Sequence, residues 1–295
     1  MTNFSGRSRR EFLKETVLFT AAAAALRSGD DLTAAPLPAG QLPTIKLGQL
    51  EVSRLILGSN PFFGYAHGNP QASAKEMTDF YTDAKIMAVL DTAADQGITA
   101  VWTPCLANWV RLWNKYQEKG GKLKIWIGQP DPEPAQMKAH ITTAARNGAK
   151  AICIQGIRVD EQMTTGRFAV VREWLELIKS FGLPAGLASH TATTHLLAEE
   201  KGLPTDFYHQ TLYRPDNYVP KGFEESLATI EQLKKPVIAY KVLGAGRILP
   251  KDTFPTLFKR LKPKDGVCVG AFPKKHDELA ENAALVRDLT PGVPA

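Results

Sequence analysis

Cysteine is scarce: only Cys105, Cys153 and Cys268 occur in 295 residues. An odd number argues against a disulfide framework, and Cys153 and Cys268 stand within apolar runs, where a cysteine is usually a small buried hydrophobe. Metal-ligand spacings such as His-x-His and His-Glu-x-x-His are missing. His67, His190 and His209 are therefore expected as pocket histidines, with no metal. No Gly-x-Gly-x-x-Gly turn follows an early apolar run, which argues against a doubly wound open sheet. The net charge of +6 is dispersed, without a long Lys/Arg run or a basic-aromatic array, so nucleic-acid binding is not expected.

What is present begins at the N-terminus. Ser8-Arg9-Arg10-Glu11-Phe12-Leu13-Lys14 precedes a mildly apolar run, 17–26, that contains five consecutive alanines. Paired arginines before a short, weakly hydrophobic segment resemble a bacterial twin-arginine export signal. The run is too short to span a bilayer. The expectation is a signal and Pro/Ala linker over 1–40, with the mature start between Ser28 and Gln41. It implies the twin-arginine translocation machinery as a partner, periplasmic or other export, and no stable membrane span after processing.

From residue 41 a rhythm sets in. Residues 44–52 alternate around a glycine and predict a small hairpin. Short apolar strands are expected at 54–57, 98–102, 123–127, 151–155, 185–189, 207–211, 237–241 and 266–269. Helices are expected between them, at 83–96, 107–118, 134–146, 170–181, 192–201, 223–234 and 252–260, with a last one at 277–289. Four to six apolar residues per strand mean a parallel sheet buried on both faces. Eight such units over 41–295 predict a single (β/α)8 TIM barrel with a short N-terminal hairpin.

In such a barrel the chemistry gathers at the C-terminal ends of the strands. Those ends supply Asn60 and His67, Trp102, Gln129, Gln155, Ser189 and His190, His209 and Gln210, Tyr240 and Lys241. Carboxylates are few, which leaves little support for a paired Asp/Glu mechanism. The aromatic loop 60–67, with Phe63, and the nearby Tyr213 suit a ring or sugar-like small molecule. Asn60, Phe63, Trp102, Gln129 and Tyr213 are the candidate substrate contacts. Lys241, in an apolar mouth, would have a lowered pKa and could act as base or imine-forming nucleophile. Strand alternation, however, puts Tyr240 and Lys241 on opposite faces, so that one of them should point away.

Several pieces, in order, resemble the aldo/keto reductases. They are Leu47-Gly48, Val52-Ser53-Arg54-Leu55, Leu57-Gly58, Gly97-Ile98-Thr99, Gln210-Thr211-Leu212-Tyr213-Arg214-Pro215, Tyr240, and Leu279 with Glu281 and Asn282. The resemblance implies NADP(H). Tyr240 would stack on the nicotinamide, Ser189 and Gln210 would hold its amide, and Glu281 and Asn282 would approach the adenine. The loop Gly244-Ala245-Gly246-Arg247 is a candidate for the phosphates. The family's Asp-Tyr-Lys-His tetrad is not matched: Trp102, Ala107 or Asn108, Gln129, and Gly156 or Ile157 stand there instead. The expectation is an oxidoreductase acting on a carbonyl or sugar-like compound with a non-standard proton donor, His67 or His190. The alternatives are a non-redox lyase, isomerase or hydrolase using the histidines and Lys241, or a barrel that binds a small molecule without catalysis.

Overall fold

The computed structural model describes residues 40–213 and 220–290. The expected export signal, and Arg214 and Pro215 of the motif after Tyr213, lie outside the described residues. Residues 44–53 form an antiparallel hairpin, β1 (Thr44–Leu47) and β2 (Leu50–Ser53). Eight parallel strands follow and close into a barrel, β3 (Leu55–Gly58) pairing with both β4 (Ala100–Pro104) and the last strand, β10 (Gly266–Gly270). Between them run β5 (Ile125–Gln129), β6 (Ala151–Ile154), β7 (Ala185–Ser189), β8 (Phe207–Thr211) and β9 (Val237–Tyr240). This is the predicted (β/α)8 TIM barrel with its hairpin.

Both faces of each strand are buried, as the continuous apolar runs require. In β6, Ala151 and Cys153 face the interior, whereas Ile152 and Ile154 face the helices. The interior is a packed core that includes Ile56, Ala100, Ile127, Phe207 and Ile238. The hairpin closes one end, contributing Ile45, Leu47 and Val52 to the same cluster. All three cysteines are buried and unpaired.

Two helices of the mouth are not evident in the hydrophobic pattern. One, α1 (Ala74–Phe80), has a single buried residue, Met77, and is fixed by a capping box between Ser73 and Glu76. The helices α2 (Asp83–Asp95), α3 (Ala107–Glu118) and α4 (Met137–Arg146) follow near their expected bounds. The second unexpected helix, α5 (Gly156–Thr164), starts directly after Gln155 and carries Asp160 into the mouth.

Candidate active site

At the C-terminal ends of the strands lies a cavity of about 1680 Å³. Of the residues singled out in the sequence, Asn60, His67, Trp102, Gln129, Gln155, His190, Tyr240, Lys241, Ala245, Gly246, Glu281 and Asn282 line it. Phe63, Ser189, Gln210, Tyr213, Gly244 and Arg247 do not.

The floor is aromatic. Trp102 packs on His209 with ring centroids 4.1 Å apart and meets Tyr240 edge-on at 5.2 Å. The Tyr240 hydroxyl donates to the Ser189 carbonyl at 3.2 Å. His209 is completely buried beneath this layer, and neither of its ring nitrogens has a hydrogen-bond partner among the described residues. Burial drives its pKa down to about 3, and the imidazole is neutral.

Lys241 corrects the expectation from strand alternation. It does not point away: it lines the cavity together with Tyr240. β9 ends at Tyr240, and Lys241 adopts φ 56°, a left-handed conformation uncommon for a residue with a side chain. That turn breaks the period of two and brings the lysine to the same side as the tyrosine. The half-buried amine has no salt bridge or hydrogen bond among the described residues. Burial lowers its pKa to about 8.

His67, from the loop after β3, is a second departure from regular backbone, with φ 50°. Its Nε2 lies 3.1 Å from the Asn60 side-chain amide nitrogen. Its pKa falls to about 4 through burial first, then the positive charge of Lys241 and the proximity of His190. At neutral pH it offers an uncharged ring beside a lysine.

His190 is held from behind. Asp160 of α5 accepts from the His190 backbone N–H at 2.8 Å, from Ser189 Oγ at 2.5 Å and from Thr194 Oγ1 at 2.9 Å. Its carboxylate stands 3.5 Å from His190 Nδ1. Burial alone would raise the Asp160 carboxyl; the hydrogen bonds from His190, Ser189 and Thr194 outweigh it and bring the pKa below the usual value. The helix can come this close because residue 156 is glycine: a Cβ there would sit 2.9 Å from the His190 ring. Asp160 was not foreseen. Its only signal is an Asp in a polar nine-residue stretch, with no strand end to mark it.

The remaining expected residues do other work. Ser189 is spent on Asp160, and Gln210 lies on the outer side of β8, beside buried His195. Arg247 ties loops together, donating to the carbonyls of Gly68 and Gly244, each at 3.0 Å. Tyr213 packs on Phe223 at 5.2 Å, and Phe63 packs against Tyr65 and Trp109.

No family model matches the chain, and no curated protein matches it. Solved structures do. Octameric ribulose-1,5-bisphosphate carboxylase/oxygenase from Pyrococcus horikoshii OT3 aligns with a TM-score of 0.51 at 10% identity, over 84% of this chain and 60% of that one. This chain thus spans less than two thirds of that protein. Thiamine phosphate pyrophosphorylase from Pyrococcus furiosus aligns with a TM-score of 0.50 at 12% identity, over 82% of this chain and 96% of that one. At such identities the likeness shows the barrel fold and nothing about the reaction.

Proposed function

We propose that this barrel is an enzyme acting on a carbonyl-bearing small molecule, with Lys241 as an imine-forming amine. The observation that carries the reading is the position of Lys241. It is an amine without an ionic partner among the described residues, turned by its own left-handed backbone into the mouth cavity, beside a neutral histidine. Its pKa of about 8 keeps a usable fraction unprotonated near neutrality.

The step balances as follows. Lys241 Nζ adds to the carbonyl carbon, and the C=O π electrons move to oxygen. One proton passes from the nitrogen to that oxygen by way of His67 or His190, and a second proton, drawn from solvent through the same histidines, lets the oxygen leave as water. The nitrogen keeps its remaining proton, and a protonated C=N bond forms. The iminium draws electrons from an adjacent C–H bond, or from a C–C bond whose far carbon carries a hydroxyl and departs as a carbonyl compound. His190, oriented by Asp160, takes the proton released from that C–H or O–H and later returns one to the enamine carbon. Water then attacks the iminium carbon and frees Lys241. The reaction class is a lyase or isomerase.

Reductive trapping tests this. Incubation with a carbonyl compound and cyanoborohydride should leave an alkylated lysine, located by peptide mass spectrometry at Lys241 ahead of surface lysines. The K241M variant should lose the adduct. Uniform surface labelling, with Lys241 unmodified, would refute the imine.

A second reading keeps the resemblance to the aldo/keto reductases. NADP(H) would supply the hydride. Tyr240, Gly246, Glu281 and Asn282 line one cavity, which is the part of the expected cofactor set that supports it. The pair expected to hold the carboxamide does not fit, because Ser189 and Gln210 are turned away. This reading therefore stands second. Quenching of tryptophan fluorescence by NADPH, through Trp102, would favour it; no response would remove it.

Export by the twin-arginine route is likewise proposed, on the paired arginines alone. Replacing both (R9K with R10K) should retain the protein in the cytoplasm as precursor. Unchanged export would rule the signal out.

A further inference from the structure

The closed strand order places β5 directly across the barrel from β9, four strands away in either direction. Gln129, which ends β5, thus faces Lys241 across the mouth. Gln155, after β6, and Asp131, just beyond Gln129, line the same wall. Neither glutamine amide has a hydrogen-bond partner among the described residues, although both are half-buried. Polar groups placed in this way normally find partners, so their partners are expected to come from a ligand.

The charge on this wall limits what the ligand can be. Four carboxylates, Asp131, Glu133, Asp160 and Glu161, stand there with two guanidiniums, Arg158 and Arg167. Arg158 is already engaged, with Glu133 at 2.6 Å and Glu161 at 3.1 Å. An anion brought to this wall meets repulsion without a free bidentate partner in Arg158. Neutral hydroxyls, which both donate and accept, match amides and a carboxylate. The rim adds apolar surface. Three of the four exposed large hydrophobic side chains among the described residues, Tyr65, Ile157 and Leu249, line the same cavity. They offer the C–H face of a ring something to rest on.

We infer that Gln129, Gln155 and Asp131 form a hydroxyl-binding subsite, and that the ligand is a neutral polyhydroxylated carbonyl compound, a sugar or sugar-derived ketone. The orientation of the carbonyl toward Lys241 rests on the imine reading; the binding of hydroxyls does not.

Two measurements separate these. Ribitol, a polyol with no carbonyl, should quench tryptophan fluorescence or give saturation-transfer NMR signals with the full protein. K241M should bind it within about twofold of wild type, whereas Q129L and Q155A should each weaken it about tenfold, the loss of one or two hydrogen bonds. D131N, which keeps the shape, guards against misfolding of the other two and should weaken binding less. In trapping experiments ribose should modify Lys241 in preference to pyruvate. Ribitol binding without any trapping would retain the subsite and reject the imine. No ribitol binding, binding indifferent to Q129L, Q155A and D131N, or preferential trapping of pyruvate would overturn the subsite.

Discussion

Arg247 Nη2 donates to the carbonyl oxygen of Gly68 at 3.0 Å, joining the loop after β9 to the loop after β3. Gln71 reinforces the joint by donating to the Gly246 carbonyl at 2.7 Å. These two loops contain His67, Lys241 and Ala245, the three non-glycine residues with positive φ among the described residues. Each such residue stores of order 1–3 kcal/mol, a strain tolerated where surrounding contacts over-determine the backbone. Arg247 is one of those contacts, and it holds the backbone that aims His67 and Lys241 into one cavity.

Removing the guanidinium should therefore disturb Lys241 without touching it. In R247M the loops loosen, water reaches the amine and its pKa rises toward the ordinary lysine value. Acylation of Lys241 at about pH 8 should slow roughly tenfold, because each unit of pKa removes a factor of ten in free amine. Labelling at the wild-type rate would show that the loops hold without the clamp.

D160N should affect His190 and stability together. The substitution keeps the volume but replaces one acceptor oxygen by a donor, opposite groups that also donate. A loss of about 1–3 kcal/mol is expected for a half-buried group left mismatched. The ribose adduct at Lys241 should also form more slowly, and the pH dependence of trapping should change. Unaltered stability and trapping would mean that Asp160 only fills space.

The barrel was legible because its strands are unusually regular apolar runs separated by helix-length segments, and each expected strand is present within a residue or two. The mouth was less so. Gln129, His190 and Tyr240 could be placed from the ends of strands, since register alone decides where they point. Lys241 is a candidate from the sequence, but alternation sets it against Tyr240; one left-handed residue overrides that alternation, and no sequence pattern marks it. Asp160 was missed because α5 buries only a few residues and has a polar sequence. Gln210 is expected at the mouth from its place near the end of its strand as well as from the resemblance, whereas the inward position on β8 belongs to His209.

Acid should weaken the fold in a defined window. His67, His195 and His209 have folded-state pKa values of about 4, 4 and 3, each lowered first by burial from an unfolded value of 6.5. Between those values the unfolded chain binds more protons than the folded one, so stability falls as pH drops below about 6.5 and continues to fall until the folded values are reached. H209M should flatten this decline in urea titrations. A decline as steep as wild type would exclude His209 as a contributor. Lys241 acts at the other end: with its pKa lowered to about 8 from 10.5, it makes stability rise as pH passes from 8 to 10.5, and K241M should lose that rise.

A packing control comes from β7. A Cβ on Gly186 would fall 2.5 Å from the Phe207 ring inside the barrel. G186A should cost about 1–3 kcal/mol by overpacking. Combining it with F207L should recover part of that loss, a non-additivity visible in thermal unfolding.

The reactivity of Lys241 across pH tests the central claim most directly. Competitive acylation of the native protein, read at each lysine by peptide mass spectrometry, yields a titration midpoint for that one amine. A midpoint near 8, well below those of the surface lysines, is the predicted result. A midpoint near 10.5, indistinguishable from theirs, would contradict the assignment of Lys241 as the reactive amine.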